Sequence, residues 1–342
     1  MISDLAILSF CILFLFIQLI NLKLSFLIAK KIKLFDIPNN RKIHKKPVLL
    51  NGGIFLYLNI VCIFLFYIFN NDNLNFIPLR DVCVVFLSLS VCFFIGLIDD
   101  KKNLKIILRY SIILFFLLIF LNFSSSFLIT NVKLSLINSH YIFLVKNQIL
   151  LTSLILISFM IMYNLIDGIN IFASILTIFY LGYLLIYDNN PFFIFLNINI
   201  IISLFIFLYF NYKNKSFLGN GGINLLGIII IFHVIFINNI EVENFKFDML
   251  FIILMFLIPT LDMIRLFLSR IIRHGNPFAP DKNHIHHLFI NKYNHFTTSI
   301  ILSVIIFWPL VISYWLNNNY TIYFITAQII LYFFIILIIK KK

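Results

Sequence analysis

Charge is what this sequence has least of. Only 11% of its 342 residues are charged, while 62% are hydrophobic and the mean hydropathy is +1.05. Soluble domains carry about 25% charged residues, so an ordinary soluble domain is excluded. Cysteine is scarce too. The four present (Cys11, Cys62, Cys83, Cys92) lie in apolar runs without a CxxC pair, which argues for small core residues and against a disulfide framework. There is no HExxH pattern. The N-terminus carries Asp4 in place of a basic leader and no small-residue cleavage site follows, so no cleavable signal peptide is expected. Internal repeats and charges at mid-span, the marks of a transporter, are missing as well.

What remains is a series of apolar runs separated by polar islands. Spans are expected near 5–27, 49–69, 82–98, 105–121, 147–165, 171–187, 192–211, 223–238, 249–268, 298–316 and 320–339. Backbone groups in hydrocarbon must be satisfied within each segment, so the spans are helices. The fold class is therefore all-α: a polytopic membrane bundle of about eleven transmembrane helices, forming one domain over residues 1–342. Scoring alternate loops puts twenty-one Lys and Arg on one side and four on the other, with Lys23 inside the first span. The basic side is read as cytoplasmic, with the N-terminus outside and the C-terminus inside. The net charge of +13 is explained by this topology and by anionic membrane lipids, without nucleic acid.

The acids sort more informatively. Asp4, Asp72, Asp81, Asp188, Glu241, Glu243 and Asp248 fall outside and read as solvated charge. Asp36, Asp99, Asp100, Asp167, Asp262 and Asp281 fall inside, several at the end of an apolar run or within one. There an ionised group is costly and functional by default.

Six polar islands on the basic side hold the chemistry. Residues 30–47 (KKIKLFDIPNNRKIHKKP) supply His44 and Lys46, either a topology signal or a cation cluster for an anionic phosphate. Gly52 and Gly53 follow and permit close backbone approach. GLIDDKKN ends the third span with Asp99 and Asp100. Adjacent carboxylates point about 100° apart on a helix, and two acids at a C-terminus oppose its dipole, so metal or phosphate chemistry suits them better than a glycosidase pair. NLIDGIN carries Asn164, Asp167 and Asn170 at three-residue spacing, with Gly168 placed to break the helix. In FLGNGG, three of the ten glycines cluster around Asn220, either a plain turn or a backbone nest for an anion. Asp262 and Arg265 are three apart and read as an intrahelical ion pair or as a substrate contact. Finally RHGNPFAPDKNHIHHLF places Asp281, Lys282, His284, His286 and His287 in one polar stretch. Zinc is the weaker reading of these histidines because no Cys joins them; phosphate recognition fits the cationic side. His140 and His233 are read as structural or surface residues.

Taken in order, DIPNNRKIHKKP with its GG, GLIDD, NLIDGIN, FLGNGG, LDMIR and NPFAPDKNHIHH resemble the polyprenyl-phosphate N-acetylhexosamine-1-phosphate transferase family, glycosyltransferase family 4. The HIHH form resembles the bacterial undecaprenyl-phosphate GlcNAc-1-phosphate transferase branch. The resemblance spans residues 36–287. It implies a Mg2+-dependent phosphoglycosyl transferase, with Mn2+ as the alternative metal, that moves HexNAc-1-phosphate, most readily GlcNAc-1-phosphate, from a UDP-HexNAc to a polyprenyl phosphate. The products are polyprenyl-diphospho-HexNAc and UMP, which would initiate a cell-envelope glycan such as O-antigen or cell wall. The implied place is the bacterial inner membrane with the site on the cytoplasmic face, and a homodimer is allowed. By the same resemblance Asp99 orients or deprotonates the lipid phosphate, with Asp100 in support. Asp167 is catalytic, Asn164 and Asn220 are metal ligands, and Lys46, His44, Asn170, Arg265, Asp281, His284, His286 and His287 bind substrate. Two departures stand out. Asn220 occupies the place of the family's metal-ligand Asp, with Ile223 where a small polar residue is usual, and Ile171-Phe172-Ala173 replaces Gly-Leu-Ala. The first motivates the alternative of a non-catalytic relative that binds lipid phosphate or nucleotide.

Overall fold

A computed structural model describes residues 4–38, 46–69, 77–136, 139–169, 171–188, 190–240, 247–275, 283–316 and 320–340. The elements in chain order are α1 (Asp4–Lys31), β1 (Phe35–Asp36), β2 (Val48–Leu49), α2 (Gly52–Phe69), α3 (Leu79–Lys102) and α4 (Ile106–Leu121). A hairpin follows, β3 (Asn131–Leu136) and β4 (Ser139–Leu144), then α5 (Gln148–Ile166), α6 (Phe172–Leu184), α7 (Pro191–Tyr212) and α8 (Gly219–Ile240). The chain ends with α9 (Met249–Ile272), α10 (Ile285–Ile290), α11 (His295–Trp315) and α12 (Thr321–Lys340).

A helix fills each of the eleven expected windows. Among the described residues nine are long and apolar enough to cross a membrane, which makes this an all-α, multi-pass membrane protein. The other two, α4 and α6, have 16 and 13 residues, short of a full crossing. The antiparallel β3–β4 hairpin was not expected from the sequence. The residues fall into two compact units, 1–125 with 180–230 and 126–179 with 231–342; the division lies within α6 and α8.

In the first unit α2 packs on α1, α3 and α7. Apolar faces alone do not select a partner in hydrocarbon, and buried polar side chains supply the selection. Gln18 of α1 donates to the Asn199 carbonyl of α7 at 3.2 Å. Asn21 donates to Asn59 of α2 at 2.8 Å, and Asn59 to Ser203 of α7 at 2.9 Å. One further turn along, Asn51 donates to Ser25 at 3.0 Å and accepts from Ser216 at 2.6 Å. Gln18, Asn21 and Ser25 lie at helical spacing, so one stripe of α1 reads both neighbours.

Glycine sets the distance between α8 and its neighbours. A methyl group on Gly53 would stand 2.5 Å from the Gly222 nitrogen, and one on Gly96 would stand 2.6 Å from Gly221 Cα. Close backbone approach at Gly52–Gly53 is thus present, and what approaches is the start of α8. The Gly52 and Gly53 N–H groups donate to the Phe217 and Leu218 carbonyls at 3.0 and 2.9 Å.

In the second unit α9 packs on α5, α11, α12 and β3. Asp248 caps α9 through the Phe251 N–H at 2.9 Å and accepts the Ser135 N–H of β3 at 2.9 Å. Lys133 is fully buried and donates to the Asn238 carbonyl at 2.7 Å. Asp81, Asp188 and Asp248, expected as solvated charge, are all buried. Capping explains Asp248, whereas Asp188 closes a turn by accepting the N–H of Asn190, the residue that caps α7.

Gly96→Ala is expected to destabilise the protein by about 1–3 kcal/mol, because the added methyl meets backbone that cannot rotate away. Gly182→Ala, with nothing within 4 Å of its Cβ position, is the matched control and should be neutral or slightly stabilising. Thermal unfolding of both variants in detergent measures the difference.

Candidate functional site

In the first unit a carboxylate cluster forms where α3 ends. Asn103 adopts the left-handed conformation (φ 51°) and stops the helix, its N–H returning to the Asp99 carbonyl at 2.8 Å. The chain turns under Asp99, whose Oδ1 accepts the Leu104 N–H at 2.7 Å. Asp99 Oδ2 accepts from Arg109 Nη1 in a buried ion pair, and from Asn220 Nδ2 at 2.9 Å. Arg109 lies in the first turn of α4, where the helix dipole disfavours a cation, so Asp99 accounts for its position. Its Nη2 donates to the Tyr110 hydroxyl at 2.9 Å.

Asp100 points at the start of α8. Its Oδ1 accepts the Asn220 N–H at 2.8 Å and its Oδ2 the Gly221 N–H at 3.3 Å. Gly219 has φ +69°, and a methyl group there would stand 2.5 Å from Asp100 Oδ2. The FLGNGG turn is therefore a nest for an anion, and the anion is a carboxylate of the same protein. Two acids at one helix C-terminus are tolerated because one sits on a guanidinium and the other on the positive end of a second helix. Asn220, expected as a metal ligand, directs its amide nitrogen at Asp99.

A separate histidine cluster belongs to the second unit and is organised by Asp262. Its Oδ1 accepts from Arg265 Nη2 at 2.8 Å and from the Tyr332 hydroxyl at 2.9 Å. Its Oδ2 meets His284 Nδ1 at 2.8 Å, and the Ile285 N–H approaches both oxygens at 3.3 Å. Arg265 also donates to Tyr332 at 2.7 Å and to the Asn283 carbonyl at 2.7 Å. The intrahelical Asp262–Arg265 pair is real, and it anchors the histidine segment to α9 and α12. The sequence singles out Asp262 with Arg265 as an ion pair or a substrate contact, and as an acid within an apolar helix; Tyr332 carries no such signal.

His284, His286 and His287 stand together, with ring centroids 5.4 and 4.5 Å apart along the series. His286 is buried and His287 half-buried. A side chain on Gly168 would collide with His286 Nε2, so the NLIDGIN turn and the histidine segment meet where only glycine fits. Asn164 is half-buried in the last turn of α5, and Asp167 caps that helix with its side chain exposed. Ile171 has φ +67°, a conformation a β-branched residue rarely adopts, at the position where the family carries Gly. Lys46 is exposed. His44, Asn170 and Asp281 lie outside the described residues.

The described residues thus form a multi-pass helix bundle with buried carboxylates at one helix end and, in the second unit, a clamped histidine segment. Residues 82–238 match the model of glycosyl transferase family 4, in line with the resemblance of the motifs. The chain is similar to the undecaprenyl-phosphate alpha-N-acetylglucosaminyl 1-phosphate transferase of Thermotoga maritima, 26% identical over 277 residues that cover 80% of this chain and 79% of that protein. The protein of the same name from Escherichia coli K12 is 26% identical over 277 residues, 77% of this chain and 71% of its own. That of Pasteurella multocida is 25% identical over 279 residues, 77% and 73% respectively.

Burial holds the His286 imidazole well below its ordinary value of 6.5, with His287 and His284 adding to the effect. The folded protein therefore resists a proton that the unfolded chain accepts, and stability is lost as pH falls below about 6.5. The loss approaches about 1.4 kcal/mol per pH unit at most. Melting temperatures between neutral and mildly acid pH should show this slope, and His286→Gln should flatten it. At position 171 the usual order of residues should invert. Ile171→Gly is expected to be more stable than Ile171→Ala by about 1 kcal/mol, because only glycine enters the left-handed region freely; thermal melts of the two variants decide it.

Proposed function

We propose that the protein transfers HexNAc-1-phosphate, GlcNAc-1-phosphate first among the choices, from a UDP-HexNAc to a polyprenyl phosphate. A lipid phosphate oxygen attacks the sugar-bearing phosphorus, the bond to the UMP oxygen breaks, and UMP leaves. The observation that carries this reading is the joining of GLIDD to FLGNGG, 120 residues apart, through the Asp100–Asn220 hydrogen bond inside the region that matches the family model. Phosphoryl transfer needs positioning and charge stabilisation more than covalent chemistry from the protein. Fixed carboxylates and a clamped histidine row supply both. His284, oriented by Asp262, and His287 are assigned to the diphosphate or the sugar nucleotide, with exposed Lys46 as a further anion contact. An apolar cavity of about 350 Å³ in the second unit, lined by Phe159, Met162, Val234, Ile235, Phe256 and Leu257, suits an isoprenoid segment.

Mg2+, or Mn2+ in its place, is the proposed metal, and it would neutralise charge on the diphosphate. Asn164 and Asp167, one helical turn apart, are oxygen donors of the kind Mg2+ takes when substrate phosphates complete its shell. Asp99 does not fit that role, since both its oxygens already accept from protein donors. The site would lie on the cytoplasmic face of the bacterial inner membrane, a reading supported by the excess of Lys and Arg in these loops. The initiation of an O-antigen or cell-wall glycan would follow, with a homodimer as the assembly.

The committed arrangement of Asp99 and Asn220 also favours a second reading, in which the protein binds lipid phosphate or nucleotide without turnover. One assay separates the two. Membranes holding the folded protein, given polyprenyl phosphate, Mg2+ and a panel of UDP-sugars, should release UMP with at least one UDP-HexNAc. Asp167→Asn should lower that rate by about 100-fold or more. Silence across the panel, with nucleotide still bound, would replace the transferase with the binding protein.

A further inference from the structure

Arg109 has no part in the motifs, yet among the described residues it is the cation that ion-pairs with Asp99. It is 6% exposed, as is Asp99, and the two form an ion pair across the turn that joins α3 to α4. Its ring-facing side lies over Tyr110 at 4.5 Å, and its Nε finds no partner. A guanidinium this buried is costly unless paired, so the structure pairs it for a reason. Charge accounting around Asp99 gives one. Among the described residues, the two carboxylates Asp99 and Asp100 face one guanidinium and the α8 N-terminus, which counts as roughly half a positive charge. The cluster is then close to neutral, short by about half a charge. An Asp at 220 would add a third carboxylate and remove the amide that donates to Asp99 Oδ2, leaving a deficit that a divalent cation would have to fill. Asn220 and Arg109 together remove that need.

We propose that Arg109, with the Asn220 amide, occupies the place at Asp99 that a divalent cation would otherwise take. Asp99 is then a fixed anion that holds Arg109, the 104–109 turn and the start of α8 in position. Arg109 is a positioning residue, and its relevance to turnover rests on the transferase reading above. A metal serving the reaction is held elsewhere, without Asp99 or Asn220 among its ligands.

The test is Mn2+ binding to the purified full-length protein in detergent, read by electron paramagnetic resonance. It needs no turnover, so a failed UMP assay would overturn the transferase reading and leave this result standing. Wild type and Asp99→Asn should bind Mn2+ with the same affinity. The double variant Asn220→Asp/Arg109→Met should bind more tightly by about tenfold or more, and adding Asp99→Asn should abolish the gain. A single Asp99→Asn or Asn220→Ala change that weakens Mn2+ binding by about tenfold, the cost of losing even an outer-shell partner, overturns the proposal. Should the double variant fail to fold, the single Asp99→Asn comparison still decides. Stability supplies a second readout: Arg109→Met should melt lower and be restored by millimolar Mn2+, while Arg109→Lys should show no metal response. Arg109→Met that gains nothing from Mn2+ counts against the proposal.

Discussion

The Asp100 carboxylate on the first N–H groups of α8 is the interaction on which the first unit depends. A helix start leaves several N–H groups without internal partners, and in apolar surroundings water does not supply them. Asp100 takes two of these, from Asn220 and Gly221. It can reach them only because Gly219, Gly221 and Gly222 let α8 begin against α2 and α3 with no side chain between the backbones. The glycines and the acid are therefore one device. Removing a methyl's worth of space at the contact or the charge from Asp100 would leave the same N–H groups unsatisfied.

The second unit uses the same logic with a different acid. Asp262 receives an arginine, a tyrosine, a histidine and the backbone N–H that opens α10. A carboxylate in a membrane helix is expensive unless each lone pair is used, and here nearly all are. The cost is offset by position. Because Asp262 lies on α9, whatever it holds is fixed to the most connected helix of the unit, and His284 inherits that rigidity. His286 is fixed by burial instead and leaves its Nε2 against Gly168, so two neighbouring histidines are ordered by opposite means.

Much of the fold was legible because hydrophobic length is a strong signal that needs no knowledge of contacts. Every span window contains a helix. What escaped was information carried by pairs. β3 alternates polar and apolar residues in NVKLSL, a pattern too short to outweigh a loop assignment, and its partner SHYIFL does not alternate at all. Asn21, Asn59 and Asn199 sit in apolar runs and look like compositional noise until their partners on other helices are known. Among the candidate site residues, the sequence singles out Asp99, Asp100 and Asn220 as residues that need an explanation. Their partners were not foreseeable. Arg109 counted only as a topology charge, since nothing in the sequence says that a residue ten positions on folds back onto Asp99. The glycine turn was read as a nest, but its anion came from another helix of the same chain.

The two departures from the family pattern are absorbed in different ways, and magnitudes show how. Asn220 changes charge, and its amide shares Asp99 Oδ2 with a buried guanidinium. Ile171 changes shape. Holding a side chain in the left-handed region costs about 1–2 kcal/mol. Ile171 is 4% exposed, and burying an isoleucine side chain contributes about 1.5–3 kcal/mol, enough to offset the strain. A polar or small residue other than glycine at that position would carry the strain without the burial. The turn between α5 and α6 thus tolerates isoleucine because the surroundings are apolar, a condition that a membrane protein meets more easily than a soluble one.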